Sequence, residues 1–297
     1  ELLLKENIKQ LIIYDNFTRG NLENLKKILP DKRVKIFELG GDINQPDLLD
    51  KAMEEVDGVF HFAALWLLHC QDFPISAFKT NVEGTFNVMN SCVKHKVKKL
   101  IYSSSASVYG DALFEPMTEE HPLNNKNFYG ATKICGESLL NAYNYRFNLP
   151  FIGLRYMNVY GPRQDTHGAY VAIILKILQN LKNGIPPTIY GDGSQSYDFV
   201  SVYDCARANI CAMKSKKKNG FYNVGTGVKT SLKDLANKIL KIKNSKLKLL
   251  YQKDKNSFVK NRVGSTIKAK KDLEFFYKIN LDKGLKDLIH WYDLNIK

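Results

Sequence analysis

KKLIYSSSASVYG, Lys98 to Gly110, is the stretch that decides the fold. Its first half is apolar, aromatic and β-branched. Its second half sets four hydroxyls among the five residues Ser103 to Ser107. A strand that is apolar on both faces belongs to a parallel sheet covered by helices. Hydroxyls crowded where such a strand ends mark the carboxyl edge of the sheet, where open α/β sheets bind their ligands. Four more runs read the same way: QLIIYD (10–15), VKIFELG (34–40), GVFHFAA (58–64) and PFIGLRYMNV (150–159). Between the runs lie helical patterns: NLENLKKIL, PDLLDKAMEEV, the long PISAFKTNVEGTFNVMNSCVKH, and FYGATKICGESLLNAYNYRF. This alternation predicts an α/β protein with a Rossmann-type, doubly wound parallel sheet and right-handed crossovers.

In that fold a first strand leads into a glycine-rich turn that cradles pyrophosphate, about 20 residues before an acidic residue that holds the adenosine ribose. Asp15, closing QLIIYD, is the acidic candidate. ELLLKENIKQ before it reads as the end of a helix and carries no such turn. The expectation is therefore that the first strand and its turn lie upstream of Glu1. In the order 3-2-1-4 that strand would sit between QLIIYD and GVFHFAA.

After about Tyr160 the regularity breaks. GPRQDTHG reads as a loop, AYVAIILKILQNLKNG as a helix, and PPTIYGDGSQSYDF as a turn-rich segment. DCARANICAMKS, SLKDLANKILKI and GLKDLIHWYDL read as helices and FYNVG as a strand. The expected domains are 1–165, joined by 198–218, for a dinucleotide, and 166–197 with 219–297 for a smaller α/β substrate domain.

Composition narrows the function. The 297 residues carry a net charge of +14, from 37 Lys and 7 Arg against 30 acidic side chains. Lysine is spread along the chain, and its dense runs, KSKKKNG and KILKIKNSKLK, lack the arginine and aromatic interleaving of a surface that reads bases. A lysine-biased solvated surface is expected, with no nucleic-acid partner. No apolar run is long enough to span a bilayer, so no membrane partner is expected. Five cysteines without a C-x-x-C pair fit free thiols of a reducing, cytoplasmic compartment. Cys92, Cys135, Cys205 and Cys211, within helical patterns, are expected as small core residues. The histidines show no ligand spacing, and no metal is expected. Gly191 and Gly193 fit a turn.

Tyr129 and Lys133, in FYGATK, lie four apart and so share one helix face. A free tyrosine titrates near 10, too high for an efficient base at neutral pH, and a neighbouring ammonium favours its phenolate. The spacing alone is weak, since Tyr251 and Lys255 repeat it. Only the first pair opens a strong helix and follows the hydroxyl-rich strand end.

Together the motifs YDNFTRG, GDIN, HFAAL, TNVEGT, SSSASVYG, YGATK, RYMNVYGPR, GDGSQSYDF and NVGTG resemble the extended short-chain dehydrogenases/reductases, specifically the nucleotide-sugar 4-epimerases of the UDP-glucose 4-epimerase type. The resemblance runs from the first residue to the last helix. It implies NAD as cofactor, a UDP-sugar as substrate and a homodimer as the assembly. It implies Ser105 as the catalytic hydroxyl, Tyr129 as base, and Lys133 as the partner that lowers its pKa and holds the nicotinamide ribose. Asp15 and Asn16 match adenosine-ribose contacts, and Asp42 and Ile43 adenine contacts. Phe62, Ala63 and Ala64 match backbone beside the cofactor, Asn81 a cofactor-side asparagine, and Tyr156 a residue beside the nicotinamide. On the substrate side, Ser105 and Asn158 match sugar-nucleotide contacts, Thr188 and Tyr190 lie where uracil is held, and Arg262 matches a diphosphate-binding arginine. Ser103, Ser104 and Ser107 are expected to satisfy backbone groups or line the crevice.

Two positions depart from the pattern. Tyr197 stands where many relatives carry an arginine that grips diphosphate, which puts more of that charge on Arg262 or Arg163. Trp66 stands where some relatives place a lysine near the cofactor, and reads first as a wall aromatic. Asp15 favours NAD over NADP, because a carboxylate repels a 2′-phosphate; Arg19 is a mild counter-signal. Other enzymes of the scaffold, 4,6-dehydratases and UDP-glucuronate decarboxylases, carry acidic residues just after the catalytic hydroxyl, where this chain has Ala106 and Ser107. A nucleotide-binding regulator without turnover is the reading from another class, and the intact Ser105, Tyr129 and Lys133 speak against it.

Overall fold

The computed structural model describes residues 1–165, 173–253 and 259–296. Its strands are β1 (Leu11–Ile13), β2 (Val34–Ile36), β3 (Gly58–His61), β4 (Lys99–Ser105), β5 (Phe151–Tyr156), β6 (Asn158–Tyr160), β7 (Thr188–Tyr190), β8 (Ser196–Tyr197), β9 (Phe199–Ser201), β10 (Phe221–Val224), β11 (Thr230–Ser231), β12 (Leu250–Gln252) and β13 (Asn261–Arg262). The helices are α1 (Pro46–Ala52), α2 (Leu67–Asp72), α3 (Pro74–Ala77), α4 (Thr85–Lys94), α5 (Phe128–Phe147), α6 (Ile173–Lys182), α7 (Val202–Lys214), α8 (Leu232–Ile242), α9 (Ile267–Leu273) and α10 (Leu281–Asn295). Parallel strands and covering helices make this an α/β, Rossmann-type fold.

Two compact units divide the chain. The first holds Glu1–Val108, Lys126–Leu154 and Ala206–Tyr222; the second holds Tyr109–Asn125, Arg155–Cys205 and Asn223–Lys297. The expected 1–165 differs from this division at two places. Residues 109–125 and 155–165 go with the second unit, where Met117 bonds to Val263 and β6 pairs with β9.

In the first unit β1 and β2 pair in parallel, and the order β10-β5-β4-β3 forms a second sheet, with β3 parallel to β4. β1 and β3 share no ladder. Leu100, Tyr102, Met89, Cys92, Leu140 and Phe151 bring β4, β5, α4 and α5 into one core. Lys99 turns its ammonium onto the last carbonyls of α7, those of Ala212 at 3.4 Å and Ser215 at 2.5 Å. That favourable meeting of a cation with a helix C-terminus accounts for one lysine of the basic excess. Lys216, Lys217 and Lys218, just beyond, are exposed.

Three local readings change. NLENLKKIL forms one 3₁₀ turn, Leu22–Asn24, instead of a helix. The segment is too short to hold a helix by itself, and it stays mostly exposed, so no packing compensates. ELLLKENIKQ likewise holds a single 3₁₀ turn, Leu3–Lys5. PFIGLRYMNV is two strands: Met157 breaks it, donating its N–H to the Val224 carbonyl, and β6 leaves for a pairing with β9.

In the second unit the segment read as turn-rich carries β7, β8 and β9, with Gly191 and Gly193 at φ +77° and +78° forming the turn between β7 and β8. Side chains with a Cβ avoid that region, so glycine is there for the turn. β7 pairs with β12, and β8 lies between β11 and β13. Its core joins α6, α8 and α10 through Leu178, Ile189, Leu235, Ile239 and Leu288. The start of the helix expected from Ala169 lies outside the described residues, as does Lys255. Two buried carboxylates hold loops here. Asp198 accepts from the Thr226 and Gly227 N–H groups and the Thr226 hydroxyl, and Asp204 accepts from the Lys278 and Ile279 N–H groups. Among the described residues no helix is long and apolar enough to cross a membrane, and no cluster of His, Cys, Asp and Glu could hold a metal.

Candidate functional site

The hydroxyl run ends β4, and each serine has its own task. Ser103 gives its carbonyl to the Lys133 ammonium at 2.7 Å, while its Oγ is buried with no hydrogen-bond partner among the described residues. Ser104 donates to the Glu137 carboxylate at 2.6 Å. Buried and bonded to a side chain, it neither serves the backbone nor lines a crevice, the two roles expected of it. Ser105 Oγ donates to Ser107 Oγ at 3.1 Å and accepts the Ser107 N–H at 3.1 Å, which folds the chain into the short turn Ala106–Val108. Ser107 therefore braces the catalytic candidate.

α5 starts where Asn127 caps it, its side chain accepting the Gly130 N–H at 2.8 Å. That cap sets Tyr129 in the first turn, half-buried, and Lys133 in the second, buried. The two share a face, as their spacing requires. The ammonium lies 5.6 Å from the Tyr129 ring centre and 5.0 Å from that of Tyr102, which underlies it from β4. Burial pulls Lys133 down to about 8, against which Cys70 and Glu137 raise it, so it remains mostly a cation at neutral pH. α5 can approach β4 this closely because residue 136 is glycine: a Cβ there would fall 2.2 Å from the Tyr102 hydroxyl. The other Tyr-x-x-x-Lys is not a helical pair, since Tyr251 lies on β12, half of it exposed.

The cofactor candidates gather at the carboxyl ends of the strands of the first unit. Asp15 and Asn16 follow β1 and fold their own loop, accepting the N–H groups of Phe17 and Thr18. A side chain at Gly20 would come 2.9 Å from Asp15 Oδ1, so glycine keeps that exposed carboxylate uncovered, as a ribose contact needs. Asp42 and Ile43 follow β2. Asp42 turns the chain through the Asn44 N–H, and the Ile43 carbonyl receives Asn87 from α4. Phe62, Ala63 and Ala64 follow β3, with Phe62 exposed and stacked on Phe60. The loop ends Asp15–Gly20 and Ala63–Trp66 meet through Arg19, whose guanidinium lies 3.5 Å over the Trp66 ring. Carboxylate and amide groups suited to a ribose, backbone suited to an adenine and a buried ammonium are thus what a dinucleotide requires, and the residues present fit NAD.

Asn81 is buried in a π-helical turn, Phe78–Gly84, between α3 and α4. It accepts the Leu65 N–H and donates to the Leu65 carbonyl and to Thr132 Oγ1. It ties the loop after β3 to the turn of α5 that carries Tyr129 and Lys133. The extra residue of the π turn is what aims it there.

Apart from Ser105, the substrate candidates belong to the second unit, as does Tyr156, the candidate beside the nicotinamide, which ends β5. Asn158 opens β6, its N–H on the Asp198 carbonyl. Thr188 and Tyr190 bracket β7. Tyr197 and Arg262 are direct register partners on β8 and β13. The Tyr197 hydroxyl donates to the Val259 carbonyl at 2.7 Å, and Arg262 Nη2 to the Gly110 carbonyl at 3.4 Å.

A sequence profile of the NAD dependent epimerase/dehydratase family matches residues 1–225. The chain belongs to that family, and its cofactor is NAD. It is 34% identical over 295 residues to a putative UDP-glucose 4-epimerase of Methanocaldococcus jannaschii, covering 98% of this chain and 93% of the relative. Among solved structures it resembles the UDP-N-acetylglucosamine 4-epimerase of Methanobrevibacter ruminantium M1 in complex with UDP-N-acetylmuramic acid, at a TM-score of 0.91 and 29% identity, over 97% of this chain and 91% of that one. It also resembles the UDP-glucuronic acid 4-epimerase of Bacillus cereus in complex with UDP-glucuronic acid and NAD, at 0.89 and 26%, over 99% and 94%.

Reading the sequence missed Glu137, His61 and the Arg19–Trp66 stack. His61 ends β3 buried, bonded to Thr85 at 2.9 Å, and burial, then Lys133, push it down to about 3. It is neutral at every working pH and adds no cation beside Lys133. Glu137 does carry a signal in the sequence: it continues the Tyr129, Lys133 spacing by one more turn.

Proposed function

We propose that the protein epimerises a UDP-sugar at C4 through a transient 4-keto sugar. The observation that carries this reading is the Lys133 ammonium, buried on the same helix face as Tyr129 and close to its ring. An ammonium there favours the phenolate and fits Tyr129 as the base for the sugar 4-hydroxyl. Ser105, braced by Ser107, shares that proton. Bound NAD would supply the hydride acceptor for C4 and, once the 4-keto sugar has turned over, the hydride donor for its other face. Asp15, Asn16, Asp42, Ile43 and the backbone of Phe62–Ala64 hold the dinucleotide, with Tyr156 beside its nicotinamide, and Asn81 acts by fixing the loop after β3. Asn158, Thr188 and Tyr190 hold the nucleotide, and Arg262 with Tyr197 takes the diphosphate. Ala106 and Ser107, following Ser105, offer no carboxyl group of the kind that dehydratases and decarboxylases of this scaffold carry there, which favours epimerisation over dehydration or decarboxylation. The direct test is the product formed from a UDP-sugar: its C4 epimer and nothing else.

The assembly we propose is a homodimer built on the helices beside the catalytic strand. Ile75, Phe78 and Phe86 on α3, the π turn and α4, and Tyr145 and Phe147 on α5, are exposed large apolar side chains. Buried against a second copy they would lose that contact with water. Sedimentation is expected to give a dimer, and a monomer at micromolar concentration would contradict this.

A further inference from the structure

Glu137 has no part in the chemistry above, yet it is only 3% exposed. It lies one turn beyond Lys133 and two beyond Tyr129, so the three share a face of α5. β4 meets this face with consecutive residues: the Ser103 carbonyl takes the ammonium, and the Ser104 hydroxyl binds the carboxylate. A carboxylate is costly to bury unless another charge and hydrogen bonds accompany it. The titratable groups around Lys133 are His61 from β3, Cys70 from α2, Tyr102 from β4, and Tyr129 and Glu137 from α5. Burial keeps His61 as the free base and holds Cys70 and Tyr102 in their protonated, neutral forms. Besides the base itself, Glu137 is the group of this set that can counter the ammonium.

We propose that Glu137 is a positioning residue for proton transfer, its carboxylate keeping Lys133 a cation and thereby keeping Tyr129 a phenolate. Tyr129 and Lys133 share their protons as a coupled pair, and a proton missing from the pair can be missing from either. A negative charge behind Lys133 places the remaining proton on the lysine. This rests on Tyr129 being the base.

The test is the pH profile of turnover for the full-length protein, Glu137→Gln and Ser104→Ala. Glutamine keeps the size of Glu137 and can still accept from Ser104, but it has no charge. Ser104→Ala keeps the charge and removes the bond. Without the carboxylate the neutral lysine is favoured, so the alkaline limb of Glu137→Gln should move to lower pH by about one unit or more. Ser104→Ala should leave the limb in place. A limb that stays put in Glu137→Gln, or moves equally in both variants, overturns the proposal. If Glu137→Gln does not fold, denaturation midpoints decide in a Lys133→Met background. There the carboxylate has lost its partner, and Glu137→Gln should raise the midpoint relative to Lys133→Met alone; a lower midpoint overturns the pairing. Normal turnover in Tyr129→Phe would instead sink the assignment of the base, whatever Glu137 does.

Discussion

Tyr129→Phe is expected to lower turnover at least about 10²-fold, the usual worth of a positioned general base, while UDP-sugar affinity changes little. The substitution keeps the ring that lies beside the Lys133 ammonium and removes only the oxygen that exchanges the proton. The loss should therefore fall on kcat, as for an interaction made in the transition state. Tyr251→Phe is the control. Tyr251 sits on β12, paired with Ile189 and half exposed, and its loss should leave turnover unchanged. Steady-state rates of both variants check this; the reverse pattern would show that the base is the other tyrosine.

Arg262→Ala is expected to cost about 2–4 kcal/mol in UDP binding, the range for truncating one partner of a buried, hydrogen-bonded charge pair. A diphosphate brings negative charge that an arginine fork neutralises with paired bonds. Tyr197 adds no charge to this grip: its side chain carries none, and its hydroxyl donates to the Val259 carbonyl. Yet Tyr197 is the register partner of Arg262 on the neighbouring strand, one ladder spacing away. Tyr197→Arg in the Arg262→Ala background should thus restore part of the affinity. Bound NAD should stay in every variant, since most of its candidate contacts lie in the first unit and neither substituted residue is among them. Calorimetric titration with UDP tests the series, and wild-type affinity in Arg262→Ala would remove this residue from the diphosphate.

Much of the candidate site's geometry was legible because it is local. Tyr129 and Lys133 are on one helix, and the spacing four apart fixes a shared face whatever the rest of the chain does. The capping asparagine, Asn127, stands in the sequence too. β4 and β5 were legible because they are buried on both faces and so are nearly continuously apolar, whereas β1 to β3, only half-buried, were legible from their β-branched and aromatic residues. What the sequence hid is what depends on distant partners. Whether NLENLKKIL is a helix depends on packing that it does not receive. The break at Met157 depends on the strand pairs that each half of the segment finds. Nothing near Ser104 in the sequence marks its role, because its partner, Glu137, is 33 positions away on another element. Asn81 read as a cofactor contact from its family position, and only the π turn shows that its amide holds Leu65 and Thr132. Asp198 and Asp204, which pin loops of the second unit, carry no local mark at all.

The most direct measurement is nuclear magnetic resonance of a UDP-sugar panel incubated with the full-length protein and NAD. The panel should cover glucose, N-acetylhexosamine and uronic acid forms. For at least one sugar the account predicts a mixture of the two C4 epimers, approached from either side, with the ring carbon skeleton intact. A 4-keto-6-deoxy sugar or a pentose as the end product, or no change in any member of the panel, would contradict it.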